Sequence, residues 1–525
     1  MMQLRSDVTA RALSIPEIVQ TILANLDVLE SSDKRLLSTL RPDCQAALAR
    51  AAQVCRHFSS PVLDILWKRM RSIIPLLRVG GIFVEESNPY QSHSEFPSHL
   101  WNRLEAYARR VKSLGDYYPP VIDDRIIIRI AQHLRGKCLL PMLETLAYTL
   151  CHHIQLLISP SLRNIYINYP RLPHPPEIWW VLDFLHALKT DSPLLERFAC
   201  FGPWPCKIPS LLSGLKHLRS MRFHVCVAIE DHDLTAALSL PQLTELKLHA
   251  SSSQPQIPRP IQVKTYSSRS LMVTANALTT ADILSHLKAT PLENLEIALI
   301  PAANGSPGQP SRLRDCLAHI PSWSGSLHTF AMEYSAASCI EPQNTAPLSR
   351  LLHPLRRAPQ LQSLQIFYPH GISPSDADYL ELSLAWPQLQ FLALAFAPAG
   401  SKPRATFLTL QQFATRCPNL RSLAIHLDLS TLPPSPLIAS HQLQYLYIYG
   451  PVGCSEPEVL ARYLDALFPN LHSTVETNIK VPRWLSGEGR DREEWTKVEK
   501  LRKLCQTARK DDAERRRLAE ICSLA

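Results

Sequence analysis

A short phrase, Leu-x-x-Leu-x-Leu, returns along most of this chain and restricts its fold more than any other feature. It reads Leu162-Arg163-Asn164-Ile165-Tyr166-Ile167 in one place and Leu243-Thr244-Glu245-Leu246-Lys247-Leu248 in another. Further copies begin at Leu143, Leu195, Leu218, Leu292, Leu327, Leu361, Leu389, Leu420 and Leu443, and a degenerate one follows Pro469-Asn470-Leu471. Leading leucines lie 23 residues apart from Leu195 to Leu218, 25 from Leu218 to Leu243, 31 from Leu389 to Leu420 and 23 from Leu420 to Leu443. The 49 residues from Leu243 to Leu292 fit two units, with a weak copy near Leu271. A recurring unit of this size cannot bury its own apolar face, so neighbouring units must stack to make a core.

Between the phrases lie short helical patterns, each followed by proline. Thr409-Leu410-Gln411-Gln412-Phe413-Ala414-Thr415-Arg416-Cys417 runs into Pro418-Asn419-Leu420, and residues 281–287, 351–357, 377–385 and 459–468 are similar. Proline cannot continue a helix, so it ends one element and opens the next. Pro outnumbers Gly by 44 to 15, which favours rigid corners over flexible linkers. Stacked helix-then-strand units give an α/β fold with a parallel sheet. The rival is a doubly wound α/β domain, which the recurrence of the phrase disfavours. The phrase and its period resemble leucine-rich repeats. The asparagine that closes a tight repeat is mostly missing, since His249 follows Leu248 and Phe367 follows Ile366. An irregular, solenoid-like array over 141–480 is therefore expected, with loops at 251–275 and 301–312. Alternation along the strands points Tyr166, Arg222, Lys247, Glu296, Gln365, Ala393, Ala424 and Tyr447 outward. That set is chemically mixed, without a run of one charge or an aromatic ladder, and suits a protein target better than a phosphate backbone.

The first seventy residues differ. Ser14 and Glu17 have capping-box spacing, Pro16 sits in the first turn, and Ile15, Ile18, Val19, Ile22, Leu23 and Leu26 share a helical period. A second helix is expected from about Asp43 to Phe58, with Leu48, Ala51, Val54, Cys55 and Phe58 on one side. Ser60-Pro61 is expected to start a third, carrying Val62, Leu63, Leu66, Trp67 and Met70. Three short helices in about 60 residues cannot hide all their apolar surface, so some of it needs an outside cover.

Ile15-Pro16-Glu17-Ile18, Val54-Cys55-Arg56-His57-Phe58 and Leu66-Trp67 resemble the F-box of fungal F-box proteins with leucine-rich-repeat-like regions, over residues 12–70. One departure is the extra stretch 29–42 between the first two helices. The resemblance implies binding to a Skp-type adaptor and, through it, a cullin-RING ubiquitin ligase, with the repeats holding an unknown protein substrate. It makes Pro16, Ile18, Ile22, Leu26, Val54, Phe58, Leu66 and Trp67 adaptor-facing or module-core residues. The bland reading is a helical cap on a repeat scaffold that never meets the adaptor.

Residues 71–140 read as a helical link. Residues 490–525 hold eleven Lys or Arg and eight Asp or Glu without Gly or Pro, a charged helix that would cap the last repeat. Arg515-Arg516-Arg517 fits a nuclear-import signal or a nucleic-acid contact, or, beside Asp511, Asp512 and Glu514, a plain solvated face. A net charge of +9 over 525 residues is a mild bias, and nucleic acid is disfavoured as a partner.

Catalytic patterns are missing from the sequence. It contains no phosphate loop, dinucleotide turn, Gly-x-Ser-x-Gly elbow or His-Glu-x-x-His. His152-His153 is a poor metal pair, Asp123-Asp124 and Asp376-x-Asp378 suit helix caps, and Trp179-Trp180 suits core filling or a peptide-docking patch. The 13 cysteines show no CxxC and no local base to activate one. Residues 1–11 lack an apolar signal core, and no run spans a bilayer. A non-enzymatic substrate adaptor of the cytoplasm or nucleus is expected, without cofactor, metal or membrane partner.

Overall fold

The computed structural model describes residues 15–25, 27, 40–81, 97–116, 122, 124–168, 178–202, 208–225, 231–250, 268–287, 291–300, 316–334, 348–368, 372–396, 405–435, 437–439, 441–449, 456–474 and 492–524. Two compact units divide the chain: Met1–Cys226 with His232–Thr244, and Val227–Asp231 with Glu245–Ala525.

The first unit opens with three helices, α1 (Pro16–Ala24), α2 (Pro42–Ala51) and α3 (Arg56–Lys68). Strands β1 (Arg69–Met70), β2 (Ser113–Asp116), β3 (Thr145–Thr149), β4 (Asn164–Asn168), β5 (Arg197–Phe201) and β6 (Ser220–Val225) follow, each parallel to the one before it. Helices α4 (Ile74–Val79), α5 (Ser98–Ala108), α6 (Asp124–Leu134), α7 (Ile178–Asp191), α8 (Ile208–Leu212) and α9 (Asp231–Leu238) alternate with the strands. Parallel pairing begins at Arg69 and includes β2, so the region 71–140 contributes a strand as well as helices. Val111, fully buried, stands there where later units have leucine.

The second unit carries β7 (Glu245–Ala250), β8 (Ser270–Ala275), β9 (Asn294–Leu299), β10 (Thr329–Tyr334), β11 (Ser363–Tyr368), β12 (Phe391–Phe396), β13 (Ser422–His426) and β14 (Tyr445–Tyr449), again all parallel. Its helices are α10 (Ala277–His286), α11 (Leu348–Leu351), α12 (Asp376–Ala385), α13 (Phe407–Arg416), α14 (Pro457–Leu467) and α15 (Arg492–Leu524).

The recurring phrase is the core. Each of its eleven leading leucines is 0% exposed and stands two residues before a strand. The weak copy near Leu271 is strand β8, where buried Ser268 occupies the leading position. A second device recurs between leucine and strand. The Glu144 carbonyl accepts the N–H groups of both Arg163 (2.9 Å) and Asn164 (3.0 Å), and the Gln390 carbonyl those of Arg421 (2.8 Å) and Ser422 (3.1 Å). One carbonyl thus satisfies two donors of the next unit, which fixes the register at each strand start. Side chains at this position pair across neighbouring units, as Lys112–Glu144 (2.9 Å), Arg163–Glu196 (2.8 Å) and Arg269–Glu293 (2.9 Å).

The three N-terminal helices differ from the expected ones in their ends. Helix α1 is capped by Ile15 without a side-chain hydrogen bond, and Pro16 at its first position presets the backbone; the expected capping box rests on Ser14, outside the described residues. Helix α2 stops at Ala51, and α3 starts at Arg56 instead of Ser60, with Pro61 inside it. Cys55 is extended, and its carbonyl receives Phe58 and Ser59 N–H, so the chain re-enters the helix there. A proline inside a helix removes one backbone bond, and here α3 carries on through it to Lys68.

Candidate functional site

The N-terminal module covers only part of its apolar surface. Val19 and Leu23 of α1, with Leu40, Leu48 of α2 and Val62 of α3, form a closed core, and Phe58, Ile65 and Leu66 pack at its edge. On the adjoining edge of the same apolar arc of α1, Ile15, Ile18 and Ile22 are 43%, 37% and 43% exposed, and Val54 in the α2–α3 turn is 71% exposed. Residues 15, 18 and 22 follow i, i+3, i+7 spacing, which makes a stripe along the helix. An ion pair steadies the far end of α1, where Asp27 takes Arg69 Nη1 at 2.5 Å and Lys68 Nζ at 3.5 Å. Asp64 of α3 pairs with Arg110 in the same way.

The expected adaptor residues therefore separate into groups. Ile18, Ile22 and Val54 are exposed, and Ile15 joins them. Phe58 and Leu66 serve the module's own core. Trp67 is half-buried, its ring centroid 4.7 Å from that of Tyr107 in α5. Pro16 opens α1, and Leu26 lies outside the described residues.

The outward strand residues fall into register. In the first unit Tyr166 is beside Ala199, and Ala199 is beside Arg222, whose guanidinium lies 4.8 Å above the Phe201 ring. In the second unit one row runs Lys247, Met272, Glu296, Ala331, Gln365, Ala393, Ala424, Tyr447. Every residue expected on the outward face belongs to one of these two rows. Ala393 and Ala424 are nevertheless buried, with Phe367, Ala395 and Tyr449, beneath half-exposed Phe391 and Tyr447. Methyl side chains are too short to emerge between rings on adjacent strands. The face carries more aromatic area than that row shows, because the alternation of Tyr445-Leu446-Tyr447-Ile448-Tyr449 puts three tyrosines of one strand on it. The signal was the parity of that one strand, and it is lost when only one position per repeat is compared. Tyr449 stacks against His426, centroids 4.9 Å apart. Burial pushes His426 down to about 4, against a hydrogen bond at the Phe396 backbone that favours its charged form.

The ionisable groups flagged by the sequence are mostly tied into structure. Asp378 forms a capping box with Ser375 at the start of α12. Asp376 accepts Thr406 N–H (2.9 Å) and the hydroxyls of Thr406 (2.9 Å) and Thr409 (2.6 Å), fastening α13. Trp179 is 58% exposed and does not fill the core. One cysteine does have a base beside it: His153 Nε2 is 3.3 Å from Cys151 Sγ, but it also lies 2.9 Å from the Tyr148 hydroxyl. Burial pushes the Cys138 thiol up and takes Cys417 to about 12, so neither favours the thiolate. Among the described residues no group of three or more His, Cys, Asp or Glu is placed to hold a metal, and no helix is long and apolar enough to cross a membrane.

Helix α15 packs on α14, burying Trp495 and Val498. Arg502, 0% exposed, donates to the Leu471 carbonyl (2.7 Å) and to Glu499 (2.9 Å), and Glu499 accepts Thr474 N–H (3.1 Å) and Oγ–H (2.8 Å). Segment 471–474 lies beside β14 through the Leu446 N–H bond to the Ser473 carbonyl, so this clamp closes the last edge of the sheet. Compared with known proteins, the chain matches no family model and no curated protein.

Proposed function

We propose that this chain is a two-ended substrate adaptor: the N-terminal helices dock on a Skp-type adaptor of a cullin-RING ubiquitin ligase, and the outward strand face of the repeats holds a protein target for ubiquitin-dependent degradation. The observation that carries the reading is the uncovered stripe of Ile15, Ile18 and Ile22 with Val54, on a module whose core is already filled without it. Exposed apolar residues aligned along one helix are a docking surface in a module of this size. The F-box-like phrases around Pro16 and Val54 name the partner. The chain would act by proximity and perform no bond chemistry.

Purified full-length chain and a purified Skp-type adaptor test this directly. Wild type is expected to co-elute with the adaptor in gel filtration, and Ile18→Asp with Ile22→Asp to abolish co-elution while retaining the wild-type melting temperature. Absence of a wild-type complex, or a complex indifferent to the double substitution, favours the second reading. That reading is a non-ligase repeat scaffold with a helical cap.

A further inference from the structure

The outward face of β9 to β14 has two chemically distinct ends. At one end Glu296 of β9 is beside Ala331 of β10, and Glu333, two residues further along β10 and paired with Ala298, stands diagonally from Glu296 on the same face. Both carboxylates are exposed, and neither has a cationic partner among the described residues. Other glutamates of these repeats are paired, as Glu293 is with Arg269 and Glu381 with Arg356. At the other end Phe391 and Tyr447 stand half-exposed over buried alanines, and half-exposed Tyr445 lies edge-on to His472, ring centroids 5.9 Å apart. Between the Phe391 and Tyr445 positions of the register lies Ser422, 6% exposed, whose Oγ has no hydrogen-bond partner. A buried hydroxyl left without a partner costs stability, so this part of the face is not packed for stability alone.

We propose that this face takes an extended peptide segment of the target, with an arginine or lysine at the Glu296–Glu333 end and aromatic or aliphatic side chains on the Phe391–Tyr445–Tyr447 platform. Five strand steps separate Glu296 from Tyr447, about 24 Å at the usual strand spacing, which is about seven residues of extended chain. Partial burial of its carboxyl, and secondly the nearby Glu296 charge, raise the affinity of Glu333 for a proton; a peptide cation would relieve that repulsion. The same carboxylates repel a phosphate backbone, which argues against nucleic acid on this face. This inference rests on the reading of the strand face as the target-holding end, and it does not depend on adaptor binding.

The test is a randomised nine-residue peptide library displayed on phage and panned against the full-length chain. Enriched sequences are expected to join a basic residue to an aromatic or aliphatic one about five or six positions away. In a synthetic peptide of that sequence, replacing the basic residue by Glu should weaken binding at least about tenfold, and Glu296→Lys with Glu333→Lys should restore it. Tyr447→Ala should weaken binding of both peptides. Both glutamates are exposed, and Glu296→Gln with Glu333→Gln serves as the neutral variant should the charge reversal unfold the chain. No enrichment over an unrelated bait, or peptides that bind the Lys and Gln variants as tightly as wild type, would overturn the inference. Measuring adaptor co-elution on the same preparations separates the two ideas. Peptide selection without adaptor binding sinks the ligase reading alone, and adaptor binding without selection sinks this one alone.

Discussion

Arg502 shows how a single residue can hold an edge. Its guanidinium is fully buried and bridges the last sheet segment to α15. Removing Arg502 leaves the buried Glu499 carboxylate only Thr474 and the exposed Lys503, 3.3 Å away, so Arg502→Met should cost up to about 3–5 kcal/mol in urea unfolding. Arg502→Met combined with Glu499→Gln should recover part of that loss, and a double mutant as unstable as the single would contradict the pairing. Burial by itself would raise the proton affinity of Glu499, but hydrogen bonds from Arg502 and Thr474 hold its carboxyl below the ordinary range. Its stabilisation is thus present above the usual carboxylate value and lost as pH falls through the lower folded value. His426 acts at milder pH. The unfolded chain binds a proton near 6.5 and the folded one only near 4, so stability should decline as pH falls across that interval and stay level above it. His441, also pushed down by burial, adds to the slope. Stability of His426→Phe measured from pH 7 to pH 4 should fall less steeply than wild type; equal slopes would show that His426 stays solvated.

Helix α1 marks where the sequence stopped being informative among the elements. Its apolar positions, 15, 18, 19, 22 and 23, fit one helical period, and from periodicity alone they form one face. In the structure Val19 and Leu23 go inward while Ile15, Ile18 and Ile22 stay in solvent, because the apolar arc is wider than the contact α2 and α3 can make. Periodicity gives the direction of an apolar arc but not which edge of it is covered. Strand starts were far more legible: a leucine two residues before each strand has to be buried for units to stack. Legibility failed at β2, where Val111 takes that place, was weak at β8, where Ser268 does, and failed in the α2–α3 turn, where Pro61 suggested a start it does not make. The division of α1 has a measurable consequence. Leu23→Ala should destabilise by about 2–5 kcal/mol through a core cavity. Ile18→Asp should change stability by no more than about 0.5 kcal/mol and still prevent adaptor binding. If Ile18→Asp lowers stability as much as Leu23→Ala, the stripe is covered by the chain itself and offers nothing to a partner.

For the whole molecule, the repeating carbonyl device means that each strand is held chiefly by the strand before and the strand after it. Stability then propagates between neighbours, and an exposed terminal strand is both weak and sticky. Helix α15 prevents this at the C-terminal end, where Arg502, Glu499 and Gln506 occupy the polar groups of 469–474. Deleting residues 492–525 removes those partners together with the buried Trp495. Hydrogen exchange should accelerate most in β14, less in β13 and less again in β12. Strands β2 to β5, whose bonds run to their chain neighbours, should keep their protection. The shortened chain should also self-associate in light scattering, since the 471–474 edge would offer free N–H and C=O groups to another copy. Uniform loss of protection from β2 through β14 would mean that the chain unfolds as one cooperative body, and unchanged exchange in β14 would mean that α15 does not close the sheet.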